Sequence, residues 1–174
     1  MTHPLTEHKA LKLSRDVALA VGDAIEPLVG EKRAADKLYM GADGTPTHRI
    51  DDVAEKVALD ELEGSDISMR VISEEAGERI FGDDPLMTVI LDPIDGTTNV
   101  LSGIPFYSIS IGFGNSTLSD VWFGYVYDLA HSLEYTSFQR DSGSVPSSDL
   151  DIDVEEYSSV GHPIKSKSQP LSEA

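Results

Sequence analysis

The chain has 174 residues, of which 40% are hydrophobic, and this is enough for one core of ordinary size. It contains no cysteine, which excludes disulfides, thiolate metal sites and a cysteine nucleophile. Acidic residues outnumber basic residues by 31 to 13, and the formal net charge of -18 argues against nucleic acid or an anionic membrane as a partner. Most of the carboxylates are scattered, so we interpret the bulk charge as the acidic coat of a salt-adapted protein.

The sequence shows neither a targeting segment nor a membrane-spanning segment. Its N-terminus is polar and charged, and no apolar run approaches the length of about 18 residues that a transmembrane helix needs. We therefore expect a soluble, cytoplasmic protein.

Two segments near the N-terminus predict helices. Residues 5–29 repeat apolar side chains at helical spacing and end before Gly30. After the turn-rich segment 40–48, the same spacing returns and ends before Gly64. This second helix is predicted over residues 51–62.

The middle of the chain predicts strands, because short β-branched or aromatic segments alternate there with Gly, Pro, Asn and Ser. Two helices followed by strands predict an α+β fold, with the helices on one face of a largely antiparallel sheet. We expect this domain to cover residues 1–138, and we expect a loop-rich tail with weak strands or disorder over residues 139–174. The five predicted strands are 69–73, 86–92, 107–114, 120–128 and 133–138.

The segment LDPIDGTTN, residues 91–99, carries the clearest chemical signal. Asp92 and Asp95 flank Pro93, whose ring fixes φ and removes a backbone donor, so we expect both carboxylates to be held close together. Such carboxylates repel each other unless a cation lies between them, and oxygen ligands favour a hard ion such as Mg²⁺ or Mn²⁺. Residues 96–99 then supply small side chains and N–H groups, which attract anions at a helix N-terminus. The segment predicts neighbouring metal and phosphate sites.

Other carboxylates precede this segment. Glu74 and Glu75 follow a predicted strand, 18 residues before Asp92. Alone, such a pair is more often a solvated loop, but beside the strand-end aspartates it predicts further metal ligands. Asp51 lies in the first turn of the second predicted helix, where a carboxylate also fits as a charge that stabilises the helix N-terminus. The residues alone leave both alternatives open.

Several of these strings together resemble one superfamily of enzymes. ISEEAG, LDPIDGTTN and GIPFYSISIGF are similar to motifs of the inositol monophosphatase and fructose-1,6-bisphosphatase superfamily of metal-dependent phosphatases, and GADGTPTHRIDDVAE resembles the segment that precedes them there. The resemblance runs over residues 40–138, and GHPIKSKSQPLSEA, residues 161–174, is a weaker match at the end. It implies the N-terminal half of a sugar-phosphatase fold, and a Mg²⁺-dependent phosphomonoesterase that hydrolyses a small sugar or inositol phosphate.

The resemblance also implies a site that holds two metal ions. Carried over by position, Glu74, Asp92 and the backbone carbonyl of Ile94 would bind one Mg²⁺, with Mn²⁺ as an alternative. Asp92 and Asp95 would bind the second. Two cations would neutralise the phosphate, lower the pKa of a bound water and stabilise the leaving oxygen.

The resemblance assigns the remaining roles next to the metals. Gly96 and Thr97 would donate backbone N–H groups to the phosphate, and the Thr97 hydroxyl paired with Asp51 would orient or help deprotonate the attacking water. Glu75 would contact the metal ligands without binding a metal ion itself. Lys37 is a further candidate for a charge near the phosphate.

The chain departs from the resemblance after residue 138. Family members continue into a second domain with a Trp-Asp motif that completes the metal site, whereas the only tryptophan here is Trp122. We therefore expect the second domain to be absent and one face of the sheet to be uncovered, a liability that a homodimer or another partner chain would remove. Two functions stay open: the phosphatase, and a truncated non-catalytic remnant that binds metal or a partner chain.

Overall fold

The computed structural model describes residues 5–42, 44–116, 120–139, 152–158 and 163–164. Within these ranges the protein combines helices with a large mixed sheet, which confirms the predicted α+β class. None of the described helices is long and apolar enough to span a membrane. The helices are α1 (Glu7–Ile25), α2 (Arg49–Glu63) and α3 (Thr97–Leu101), with short 3-10 helices at Glu26–Leu28 and Lys32–Ala35.

Helices α1 and α2 form where the apolar spacing predicts them, but their ends differ. Helix α1 ends at Ile25. The N–H of Glu26 still donates to the carbonyl of Gly22, but the next residue, Pro27, has no N–H to donate and the chain tightens into a 3-10 turn. The predicted end at residue 29 was therefore too late. Helix α2 begins at Arg49, two residues before the predicted start, with His48 as its N-cap.

The strands form a hairpin and an eight-stranded sheet. The sheet has the order β10-β9-β8-β7-β6-β5-β3-β4, and all of its neighbours are antiparallel except the parallel pair β3 and β5. The strands are β1 (Lys37–Met40), β2 (Pro46–His48), β3 (Met69–Ser73), β4 (Gly77–Phe81), β5 (Thr88–Asp95), β6 (Ser108–Gly114), β7 (Phe123–Asp128), β8 (Leu133–Gln139), β9 (Ile152–Ser158) and β10 (Pro163–Ile164).

Three of these strands were not predicted. The hairpin of β1 and β2 occupies the segment expected to be only turns, and β4 was not identified at all. Both elements are largely exposed, so they lack the alternation of apolar and polar residues that marks a half-buried strand. Strands β9 and β10 extend the sheet beyond β8 within residues 139–174, and the domain boundary at residue 138 stays a prediction.

The core lies between α1, α2 and one face of the sheet. Neighbouring strands pair Val71 with Val89, Val89 with Phe113, and Phe113 with Phe123, and all four side chains are buried. The buried side chains of both helices belong to the same hydrophobic cluster. Their burial is the main stabilising contribution in this layer.

The opposite face of the sheet is more open. Here the neighbouring strands pair Ile72 with Ile90, Ile90 with Gly112, and Gly112 with Gly124, and these residues form a row across the sheet. The two glycines have no side chains, so the row is not covered at β6 and β7. This row and the adjacent Val126 line an open cavity of about 720 Å³. The cavity reaches the end of β5 that carries the predicted metal ligands.

Candidate active site

A bulge in β5 places the two aspartates of the LDPIDGTTN segment on one side of the sheet. Asp92 pairs with Ser110 and Asp95 pairs with Ser108, so β5 uses one residue more than β6 over the same stretch. In a regular strand, residues three apart point to opposite faces. The extra residue beside Pro93, which cannot donate to the ladder, cancels that alternation.

Asp92 lies among other carboxyl groups. Burial and then the charge of Asp95 raise the pKa of Asp92 to about 6, while contact with the carboxyl group of Glu74 and the backbone N–H of Ile94 acts in the opposite direction. Its Oδ1 atom is buried and has no hydrogen-bond partner among the described residues. Two carboxyl groups in contact need a shared proton or a cation between them.

The turn that carries Glu74 and Glu75 is held by buried groups from other elements. The hydroxyl of Thr47, on β2, donates to Oε2 of Glu75. On the other side, Ser73 Oγ donates to Oε2 of Glu55, on α2, at 2.6 Å. The turn after β3 is therefore tied both to the hairpin and to α2.

Gly96 joins β5 to α3 in a conformation that other residues rarely adopt. Its φ is +97°, and a Cβ atom there would lie 2.9 Å from the carbonyl oxygen of Phe106. Glycine is needed on both counts. The tight turn places Thr97 as the first residue of α3, beside the end of β5.

Thr97 and Asp51 meet although 46 residues separate them. Thr97 Oγ1 donates to Asp51 Oδ1 at 2.8 Å and lies 3.3 Å from the carbonyl oxygen of Ile94. Asp51 is only 5% exposed, and its Oδ2 accepts the backbone N–H of His48 at 3.1 Å. The contact joins the first turn of α2 to the first turn of α3.

Most of the predicted site residues lie at one end of the sheet. Glu74, Asp92 and Asp95 surround the end of β5, and the Asp51–Thr97 pair adjoins the carbonyl of Ile94. Lys37 lies exposed on β1, paired with His48 of β2.

Sequence reasoning missed several residues that support this site. Glu55 is 4% exposed and Thr47 is fully buried, and both hold the acidic turn. His48 caps α2, and its Nδ1 atom lies 3.3 Å from Oδ2 of Asp51. Glu55 could have been noticed from the sequence, because it occupies a core position in the apolar repeat of α2, where a charged residue is unusual.

The donor chemistry of the site fits a hard cation. One oxygen of Asp92 has no hydrogen-bond partner within the ranges that the structure describes. Together with the contact to Glu74 and the charge of Asp95, it makes a place where a divalent ion would relieve repulsion. The described residues contain no group of three or more His, Asp or Glu side chains already arranged to hold a metal ion.

Comparisons with known proteins agree with this fold and these motifs. The model of the inositol monophosphatase family matches residues 7–171. A fructose-1,6-bisphosphatase/inositol-1-monophosphatase from Archaeoglobus fulgidus is 44% identical over 132 residues, which are 75% of this chain and 50% of that protein. A bifunctional NADP phosphatase/NAD kinase from Methanocaldococcus jannaschii is 44% identical over 103 residues, 59% of this chain but 18% of that protein.

A solved structure extends the likeness to the fold. The extragenic suppressor protein suhB from Bartonella henselae matches with a TM-score of 0.64 and 27% identity, over 81% of this chain and 53% of that one. The chain thus spans about half the length of suhB and of the Archaeoglobus relative. The family model covers far more than half of the present sequence, and the chain belongs to the inositol monophosphatase family.

Proposed function

We propose that this chain supplies the metal- and phosphate-binding part of a Mg²⁺-dependent phosphomonoesterase that acts on a small sugar or inositol phosphate. The observation that carries the proposal is the buried Oδ1 atom of Asp92, which has no hydrogen-bond partner in the described part of the chain and lies beside Glu74 and Asp95. A cation is the simplest group that satisfies this oxygen and offsets the repulsion. Family membership and the phosphatase names of the relatives support the same activity.

Two groups of residues would act in this reaction, and the first consists of the metal ligands. Glu74, Asp92, Asp95 and the carbonyl of Ile94 would hold Mg²⁺, or Mn²⁺ in its place. When bound, the cation supplies charge neutralisation for the phosphate and lowers the pKa of water.

Thr97 and Asp51 would act on the attacking water. Asp51 accepts a hydrogen bond from the Thr97 hydroxyl, so the lone pairs of the Thr97 oxygen can accept a hydrogen bond from water. The pair would thereby orient the water and favour removal of its proton. The backbone N–H groups of Gly96 and Thr97 would bind the phosphate oxygens.

The test is release of phosphate by the purified chain over a Mg²⁺ series. The substrates are inositol 1-phosphate, fructose 1,6-bisphosphate and NADP, which cover the classes that the relatives' names suggest, and p-nitrophenyl phosphate as a general phosphatase substrate. We expect slow but measurable release that needs Mg²⁺ and disappears in Asp92→Asn, but persists in Asp60→Asn, which changes an exposed aspartate on α2. Equal release in Mg²⁺ and in EDTA, or none from any substrate, would contradict the proposal.

Binding of a partner chain without turnover is a second candidate. It is favoured by the open sheet face, where Ile72 and Val126 are each 37% exposed. Light scattering during size-exclusion chromatography tests whether the partner is a second copy, as the predicted homodimer requires. The cytoplasmic location and the salt-adapted acidic coat likewise remain predictions.

A further inference from the structure

A buried glutamate lies directly behind the turn that carries Glu74 and Glu75. Glu55, on α2, is 4% exposed, and its Oε2 accepts the Ser73 hydroxyl at 2.6 Å. The backbone N–H of Ala76 faces the same carboxylate and favours its charged form. Ser73 and Ala76 are the residues immediately before and after the acidic pair, so one carboxylate contacts both ends of the turn.

Glu55 is a costly residue at this position. Its Oε1 atom is buried and has no hydrogen-bond partner among the described residues, and burial raises the pKa of its carboxyl group. A buried carboxylate with an unpaired oxygen destabilises a fold relative to a well-packed apolar side chain of the same size. Apart from Asp51, whose two oxygens both accept hydrogen bonds, the other buried residues of helix α2 are apolar, so an apolar residue would also suit the core at position 55. The glutamate therefore needs a reason other than stability.

We propose that Glu55 is a positioning residue that fixes the turn from Ser73 to Ala76 and so directs Glu74 towards Asp92. Its acceptor oxygen holds Ser73 Oγ on the helix side, while Thr47 holds Glu75 on the hairpin side. With both anchors in place, the Glu74 carboxyl group stays beside Asp92. The inference rests on the proposed function only for its effect on cation binding.

Two substitutions of similar length isolate the acceptor. Glu55→Gln keeps an oxygen that can accept from Ser73, whereas Glu55→Met fills a similar volume without an acceptor. Amide hydrogen exchange is measured in the metal-free protein over residues 74–76, with residues 109–113 of β6 as the measure of global stability. We expect exchange in the turn to be about tenfold faster in Glu55→Met and close to wild type in Glu55→Gln, while exchange in β6 becomes no faster in either variant.

Two matched controls complete the experiment. Glu61→Gln, on an exposed position of the same helix, should leave exchange in the turn unchanged. Adding Ser73→Ala to Glu55→Met should have little further effect, because both changes remove the same hydrogen bond. The inference would be overturned if exchange in the turn were equally fast in Glu55→Gln and Glu55→Met, or if exchange in the turn and in β6 changed by the same factor.

Mg²⁺ titration by calorimetry then separates this inference from the proposed function. We expect Glu55→Met to weaken Mg²⁺ binding about tenfold while Glu55→Gln stays within about twofold of wild type. If wild type binds Mg²⁺ but Glu55→Met binds it equally well, the positioning role is wrong although the proposed function stands. If wild type binds no Mg²⁺ and the exchange pattern is as expected, Glu55 still fixes the turn and the proposed metal dependence fails.

Discussion

Asp92→Asn should stabilise the metal-free protein at neutral pH while it removes Mg²⁺ binding. The pKa of Asp92 is raised from 3.8 to about 6, mainly by burial and then by Asp95. A shift of about two units corresponds to at most about 3 kcal/mol of destabilisation by the ionised form. Because the carboxyl group is partly exposed, solvent screening reduces this to about 1–2 kcal/mol. Asparagine keeps the shape without the charge, so we expect the melting temperature in EDTA to rise by about 2–8 °C.

The pH dependence of this effect has a definite sign. The folded state binds the Asp92 proton more tightly than the unfolded state, so the stabilisation that this proton provides is present below pH 3.8 and is lost by about pH 6. Wild type and Asp92→Asn should therefore have similar stabilities near pH 4. The advantage of asparagine should grow between pH 4 and 6 and stay constant at higher pH.

Mg²⁺ should reverse the order of stability. Binding to the folded state stabilises by about 2.7 kcal/mol at a hundredfold excess over the dissociation constant, and Asp92→Asn should gain none of this. Differential scanning fluorimetry from pH 4 to 8, with EDTA or excess Mg²⁺, measures all three effects. The reasoning is refuted if asparagine is destabilising in EDTA by the same amount at every pH, or if Mg²⁺ stabilises both proteins equally.

Four other predictions address the water, the turn, the charge and the activity of the chain. Thr97→Ala should lower turnover but keep the Mg²⁺ affinity measured by calorimetry, because Thr97 is proposed to orient the attacking water and not to bind the metal. Equal loss of turnover and of Mg²⁺ affinity would contradict this assignment. Gly96→Ala should destabilise the fold by about 1–3 kcal/mol in urea unfolding, since its Cβ would meet the Phe106 carbonyl. A Cβ at Gly124 would have no described atom within 4 Å apart from its chain neighbours, so Gly124→Ala should change stability by less than about 1 kcal/mol. The melting temperature should rise with KCl from about 0.15 M to 1 M as the Debye length falls from about 8 Å to 3 Å, and a flat response would contradict the salt-adapted interpretation. This chain alone should turn over well below the usual range of roughly 1–10³ s⁻¹, because the resemblance puts another metal ligand outside it; turnover within that range would show a complete site.

The sequence predicted the helices and strands that bury one side against the core. Helices α1 and α2 and five strands of the sheet bury one side, so their apolar residues recur at the spacing of the element. Strands β1 and β4 are largely exposed and β2 has only three residues, so none of the three shows such a spacing. They are set by pairing with a partner strand, which local sequence does not encode.

Only part of the candidate site could likewise be predicted from the sequence. Motifs close in sequence, such as Asp92, Asp95, Gly96 and Thr97, could be identified as a unit because covalent connection keeps them together. That Asp92 and Asp95 share one side of the sheet depends on the bulge in β5, which appears only in the register with β6.

The sequence by itself therefore determined the fold class, the family resemblance and the short motif at the end of β5, because each depends on periodicity or on neighbouring residues. Tertiary structure decided the contacts between distant segments. The resemblance implied that Thr97 pairs with Asp51, 46 residues away, but periodicity and neighbouring residues did not indicate this pair, and the contact between Glu55 and Ser73, 18 residues apart, was not predicted at all. Such contacts form only when α2 packs on the sheet, because the loss of chain entropy is then offset by burial of the whole layer.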